Sequence, residues 1–551
     1  MAPLENRNIP EATTAHIEAE AHVDLVPGTE VMVEVDGLHR GSLEQASQVL
    51  VPQPTDDPHD PLNWNKTWKS LVIINQGIFV IISVIPTLSI APLTPVFMAE
   101  WQASLTNVAL LTGVTVMLLG YCNLIIVPCC EIFGRRITLI VCALLNLASC
   151  IWMATAKSYG SFLAARILAG TGSSANESVM NIVVTDMFFL HERGKYVGSY
   201  FWCYFLGLFL GPVISGAVTE ATSFRIFFWI CTAAQAINII GLGVLFPETR
   251  RLPTVTPESA ASESSEESKG GDTKLEMGAT HVESRSPVPT PGFVPEVQGK
   301  GRPSRAQFNI FQQIDRKATR SIVSHLFAPI HIFFFPIVFW ASMATGSAAN
   351  ALLAVNILQS PALASSPYNF SPSQVGYANF ALVVGGIVGL AIAGPWSDYI
   401  SQKATRKNKG IREPEMRLVA LVPFAIAAII GLVVFGVGIQ EQWAWQAVII
   451  VGFGFVGLQV VAIPTIAITY AIDCYKPISG EIMTIATICK NTFGFGMTYY
   501  INNWAVKDGY VPPVMLLMAM TAGITLLGVV LLTFYGKSCR RLTRNSKVHN
   551  F

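Results

Sequence analysis

Arg166, Gly170, Ser173, Glu177 and Asn181 recur at steps of three or four residues within an otherwise apolar stretch that ends with Asp186. On an α-helix that spacing puts all five on one stripe. A charged side chain at bilayer depth costs roughly 3 kcal/mol to insert, so the stripe is expected to face a cavity or a partner rather than lipid. A carboxyl group in such a place can load a proton from one side and release it to the other, or hold a cation. Glu177 is therefore the first candidate for proton coupling, and the stripe is expected to line a transport path. The alternative is a carboxylate held statically in the bundle or paired with Lys490, which sits mid-segment in TIATICKNTFGFG. Lys490 can likewise contact an anionic or carbonyl-bearing substrate, or serve as a structural or snorkelling cation. Both readings stay open at this stage.

Composition says what must hold these residues. The 551-residue chain is 52% hydrophobic and only 13% charged, against about 25% charged in a typical soluble protein. That is the profile of a multi-pass membrane protein, an all-α fold in which each span takes about 20 apolar residues. The net charge of +1, with basic residues scattered between apolar runs, gives no reason to expect a nucleic-acid partner. No basic n-region precedes an apolar h-region at the start, so no cleavable signal is expected. The ten cysteines have no zinc or redox spacing and are expected to be reduced.

Apolar segments lie near 71–92, 107–128, 137–156, 161–184, 197–219 and 226–246, then near 330–355, 375–395, 417–438, 444–472, 479–502 and 512–534. These make about twelve transmembrane helices, six on each side of a polar gap. The expected organisation is a disordered tail (1–68), a six-helix bundle (69–247), a mostly disordered linker (248–325), a second six-helix bundle (326–536) and a basic tail (537–551). The linker is rich in Ser, Glu, Gly and Pro and cannot bury enough apolar area to order itself, though 305–321 is amphipathic and suits a membrane-surface helix. Basic residues gather in alternate loops, at Arg135, Arg136, Arg193, Lys195, Lys403, Arg406, Lys476 and Lys537, so both termini are expected to be cytoplasmic. The sequon at Asn369 then falls outside, a candidate for N-glycosylation.

The segments VPCCEIFGRR (127–136) and GPWSDYISQKATR (394–406) both read proline, two residues, carboxylate, then basic residues. Two pseudo-symmetric halves of this kind are typical of secondary transporters. These motifs, with Arg166, Gly170 and Gly172, the DPLNWNKTWKS lead-in, GLFLGPVISG (207–216) and FPETRR (246–251), resemble the major facilitator superfamily, specifically its fungal twelve-span drug:proton antiporter branch. The sequence departs from the pattern at Val127, where a glycine is expected, and at Glu131, where an aspartate is. The resemblance implies a cytoplasmic gate of Glu131, Arg135, Arg136 and Asp186 with Asp398 as counterpart. It further implies an antiport motif at Gly207, Gly211, Pro212 and Gly216, and a relay role for Arg166. It also favours Asn75, Gln76, Asn350 and Gln459 as cavity residues over the other intramembrane amides.

The expected function is proton-coupled export of a hydrophobic or amphipathic small molecule, by a chain that works as a monomer in the plasma membrane or an internal one. Proton-driven uptake of a cationic nutrient such as a polyamine is the alternative, and a transporter-like sensor is a third. With no nucleotide-binding loop, metal-ligand cluster or nucleophile triad in the sequence, neither cofactor nor metal nor enzymatic activity is expected.

Overall fold

The computed structural model describes residues 30–31, 57–188, 190–250, 299, 301–309, 329–408, 411–475 and 478–543. The expectations of a disordered tail before residue 57 and of a disordered linker over 251–298 lie outside them, as does the amphipathic stretch from 310 to 321. Ten helical segments among the described residues are long and apolar enough to cross a membrane.

In chain order the spans are Lys66–Leu88, Leu105–Phe133 (broken at Cys122), Arg135–Thr155, Tyr159–Met187 (broken at Ser174), Leu190–Ala221 and Phe224–Leu245. The last six are Pro336–Ala364, Pro372–Lys407, Val422–Gln440, Gly454–Cys474, Ser479–Asp508 and Val511–Thr543. A 3-10 helix, Pro414–Leu421, opens the ninth span, and a π-helical turn, Ala447–Phe453, opens the tenth. The fourth and eleventh spans are the two that fall outside the ten. One is interrupted and carries Arg166, Glu177 and Asp186; the other carries Lys490. The spans that fail a simple apolarity test are those that hold the charge chemistry.

Packing follows a repeat. The first span packs on the fifth and sixth, the third on the fourth and sixth, and the second on the fourth. Six spans later the seventh packs on the eleventh and twelfth, the ninth on the tenth and twelfth, and the eighth on the tenth. Two seams join the halves, the second span on the eleventh and the fifth on the eighth, and the same operation exchanges them. The fold is thus two pseudo-symmetric six-helix bundles. The strand pairing among the described residues is limited to Glu30–Val31 against Ile411–Arg412 and an isolated bridge, Trp64 to Gly301.

Small residues permit these contacts, because apolar surfaces in lipid gain little from simple burial and must gain from close approach. A Cβ on Gly170 would lie 2.8 Å from the carbonyl oxygen of Thr115, and one on Gly172 the same distance from the amide of Asn146, so the fourth span is wedged between the second and third. Gly216 and Gly376 play the same part in the fifth–eighth seam, against the carbonyls of Pro372 and Pro212.

On the face where the first span begins and the last ends, here called the terminal face, each half is tied by its own charges. Arg135 Nε meets Asp186 Oδ2 at 2.9 Å, joining the third span to the fourth. Arg417 pairs with Asp398 at 3.1 Å and with Asp473 at 3.4 Å, the equivalent positions of the second half. The end of the sixth span supplies Glu248, which accepts from the amides of Arg135 (2.9 Å) and Arg136 (3.1 Å) and so caps the third span with negative charge. Gly134, at φ +103°, makes the turn that brings the carboxylate in. At the matching place Arg540, fully buried at the end of the twelfth span, grips Glu415 through two 2.8 Å bonds.

Removing one member of a buried pair strands the other charge, at a cost of about 3–5 kcal/mol. Arg540→Met is therefore expected to lower the thermal midpoint of the detergent-solubilised protein sharply, and the double change Arg540→Met/Glu415→Met to recover most of the loss. Equal losses in the single and double variants would contradict this account.

Candidate functional site

The fourth span breaks at Ser174, and its second helix begins at Ala175, which puts Glu177 in a first turn. The helix dipole there favours a negative group by roughly 0.3–1 kcal/mol. Lys490 is carried to it by the second–eleventh seam, where Gly113 packs against Thr498 and Gly120 against Asn491 at separations no larger side chain would allow.

Lys490 Nζ lies 2.5 Å from Glu177 Oε1, and the hydroxyl of Tyr204 donates to the same oxygen at 3.0 Å. Asn491 Nδ2 approaches the other oxygen at 3.4 Å. The ammonium also sits 5.8 Å from the centre of the Tyr204 ring, within cation–π range. The Glu177 side chain is 3% exposed and that of Lys490 20%. One carboxylate oxygen therefore holds two donors from opposite halves of the molecule.

The pair forms part of the wall of a central cavity between the halves, with about 160 Å³ of space for water-sized molecules. Most of the wall is apolar, including Phe201, Phe205 and Leu353; Asn350, Asn356 and Asn502 add amides to it. A molecule with a large apolar body and one or two hydrogen-bonding or charged groups fits such a lining.

Of the eight residues expected at the cavity, the structure brings together Glu177, Lys490 and Asn350. The other five do not line it. Arg166 is fully buried and caps the end of the first span, donating to the carbonyls of Pro86 (2.9 Å) and Thr87 (2.5 Å) and to Leu111 of the second span (3.1 Å). Those C-terminal carbonyls have no helical partner, and in a membrane they must find one. Ser173 bonds Thr87 and Asn146. The stripe expected to line one path is therefore split by the break at Ser174, and Asn181 lies off the cavity wall. Gln459 donates to the carbonyl of Ala348 (3.2 Å), Asn75 lies beside Gly241 of the sixth span, and Gln76 is fully buried.

Of the expected gate residues, Arg135 pairs with Asp186, its neighbour in the proposed cluster, and Asp398 pairs with Arg417 of its own half. Arg136 donates to the carbonyls of Phe246 and Gly243, and the half-exposed Glu131 offers its backbone carbonyl to Arg250. Gly207 and Gly211 face the first span at Ile81 and Ser89, while Pro212 and Gly216 meet the eighth, so the motif lies where the fifth span contacts both. Asn369 is exposed in the loop after the seventh span. Sequence reasoning missed Tyr204, Asn491, Arg417, Asp473 and Glu248. For Tyr204 the signal was its spacing from Tyr200, one helical turn earlier on the same face.

A family model described as the Major Facilitator Superfamily matches residues 76–498. Protein HOL1 of Saccharomyces cerevisiae is 27% identical over 95% of this chain and 96% of its own length. The MFS-type transporter penM of Penicillium rubens is 26% identical over 80% and 79%, and the probable efflux pump mfs2 of Aspergillus flavus 24% identical over 83% and 99%. Among solved structures, the proton:xylose symporter XylE bound to 6-bromo-6-deoxy-D-glucose superposes with TM-score 0.57 at 12% identity, covering 85% of this chain and 96% of that one. The human organic anion transporter MFSD10 (TETRAN) gives 0.52 at 12%, covering 87% and 100%. At such identities the likeness is one of fold.

Arg166 holds three carbonyls with a planar fork that lysine cannot reproduce. Arg166→Lys is expected to cost on the order of 1–3 kcal/mol and to lower thermal stability in detergent, whether or not substrate or a pH gradient is present. A variant of unchanged stability that loses only transport would contradict the capping role.

Proposed function

Because the chain belongs to the Major Facilitator Superfamily, a family of transporters rather than enzymes, we propose that it is a proton-coupled exporter of an amphipathic small molecule. The observation that carries this reading is the sharing of Glu177 Oε1 by Lys490 and Tyr204 across the two halves. Protonation of that oxygen cancels the charge that holds Lys490 and loosens the fourth span from the eleventh. A donor group on a substrate competes for the same oxygen. Two ligands that cannot share one site must exchange there, which is what antiport requires, and a cavity opened alternately to each side turns that exchange into transport.

The apolar wall supports an amphipathic cargo, and the name of the Aspergillus relative, a probable efflux pump, supports export. Basic residues on the terminal face support a cytoplasmic position for it. At the opposite face the halves are joined by Thr106 to Asn503 (2.8 Å) and by the Ser373 amide to Glu220 (2.9 Å), which supports loading from the terminal side. When that side closes, Glu131 and the exposed Asp398 are the carboxylates available for pairing across the halves.

Proton-driven uptake of an organic cation is the second reading. It is favoured by one detail: the Glu177 carboxylate and the face of the Tyr204 ring already cradle the ammonium of Lys490. A substrate amine would take that place.

Purified protein in sealed vesicles under an imposed pH gradient separates these readings, with rhodamine 6G and spermidine as probes. Export predicts accumulation of the dye against the direction of proton flow. In Glu177→Gln, gradient-driven accumulation is expected to fall to the level of protein-free vesicles while dye counterflow without a gradient persists. Accumulation of spermidine along the proton flow would replace export with uptake, and normal pH dependence in Glu177→Gln would remove the carboxylate from coupling.

A further inference from the structure

A second, smaller hollow lies in the fifth–eighth seam, lined by residues that include Trp202, Phe205 and Phe209 on one side and Val383, Gly386 and Ile387 on the other. Trp202 and Ile387 are exposed on the molecule's outer surface, where the bilayer would lie. Phe205 belongs to the walls of both this groove and the central cavity. Phe205 is thus the residue common to the groove and the binding space.

The surroundings of that ring differ along the seam. Toward the face opposite the terminal face, Gly216 against Pro372 and Gly376 against Pro212 bring the two backbones close together. Near mid-span, Phe201, Phe205 and Phe209 form a ladder of near-parallel rings, with centroids 6.4 and 5.7 Å apart. Gly386 makes room for the last of them: a Cβ there would sit 2.8 Å from the Phe209 ring. Phe205 is the middle ring of that ladder, and its neighbour Tyr204 is the residue bonded to Glu177.

We propose that this groove is a lateral port through which an apolar substrate dissolved in the bilayer reaches the central cavity, with Phe205 as its gate. The proposal rests on the reading of the protein as a carrier of amphipathic molecules and adds the side from which they arrive. The groove's apolar lining, its place at mid-span and its continuity with the cavity through one ring select a hydrocarbon-like occupant over a water-soluble one. On passing Phe205 a molecule would have its apolar body among Phe201 and Leu353 and its polar group beside Tyr204.

The test uses the full chain in lipid nanodiscs containing a phosphatidylcholine with a mid-chain diazirine, photolysed and mapped by mass spectrometry. In the wild type, labelling of peptides 202–206 and 383–390 is expected to exceed that of Ile237 and Ile240, which are highly exposed on the sixth span. Phe205→Ala is expected to carry label inward to Leu353 and Asn356. Gly386→Leu, which fills the groove, is expected to abolish both signals while leaving Ile237 and Ile240 labelled, which also reports an intact fold. Groove labelling no stronger than at those control positions, or cavity labelling unchanged by Phe205→Ala, would overturn the proposal. Labelling needs neither a proton gradient nor a known cargo, so its failure would leave Glu177 coupling standing, and failure of coupling would leave the port standing.

Discussion

One buried ion pair, Glu177 with Lys490, spans the two halves of the chain, and much of the local architecture is what such a pair demands. Two charges taken out of water lose hydration that their mutual attraction only just recovers, and they recover it only with good geometry and further hydrogen bonds. Tyr204 and Asn491 provide those bonds. The break at Ser174 turns a helix start toward the carboxylate, and the glycines of the second span let the eleventh come close enough to deliver the ammonium. A contact so finely balanced is a suitable switch, because neutralising either partner removes the attraction and leaves the other to find a new one.

At the terminal face each half is braced by its own charges. Each closes its terminal face with an arginine at the start of its third helix and a carboxylate at the end of its fourth, Arg135 with Asp186 and Arg417 with Asp473. Each also ties in its last helix, by Glu248 on backbone amides in one half and by Arg540 on Glu415 in the other, with the sign of the charge reversed. Duplication has kept the position of the clasp without keeping its chemistry. Bundles braced in this way can move as bodies, and the work of coupling falls on the few groups that reach across.

The span count, the repeat and the two central charges were legible because each leaves a mark in one dimension: apolar length, a recurring proline–carboxylate pattern, and ionisable residues where none is cheap. Which amides face the cavity was not. In lipid a helix is apolar on both its outer face and its packed faces, so the periodicity that orients a helix in water is weak, and Gln76 and Gln459 cannot be told from Asn350 by spacing. Arg166 was misdirected for a different reason. A stripe drawn on a continuous helix ignores a break at Ser174, and the three carbonyls that Arg166 caps belong to other spans. Arg417 and Glu248 left no mark because their partners lie on other elements of the fold.

The central claim is that a proton and a substrate compete for one oxygen of Glu177. Infrared difference spectroscopy of the protein in lipid tests it directly, by following the carbonyl stretch of a protonated carboxyl as the sample is acidified and as transported substrate is then added. The account predicts a band that appears on acidification, is absent in Glu177→Gln, and is lost when substrate binds. A substrate that binds while the band stays unchanged would show that proton and cargo do not meet at this site.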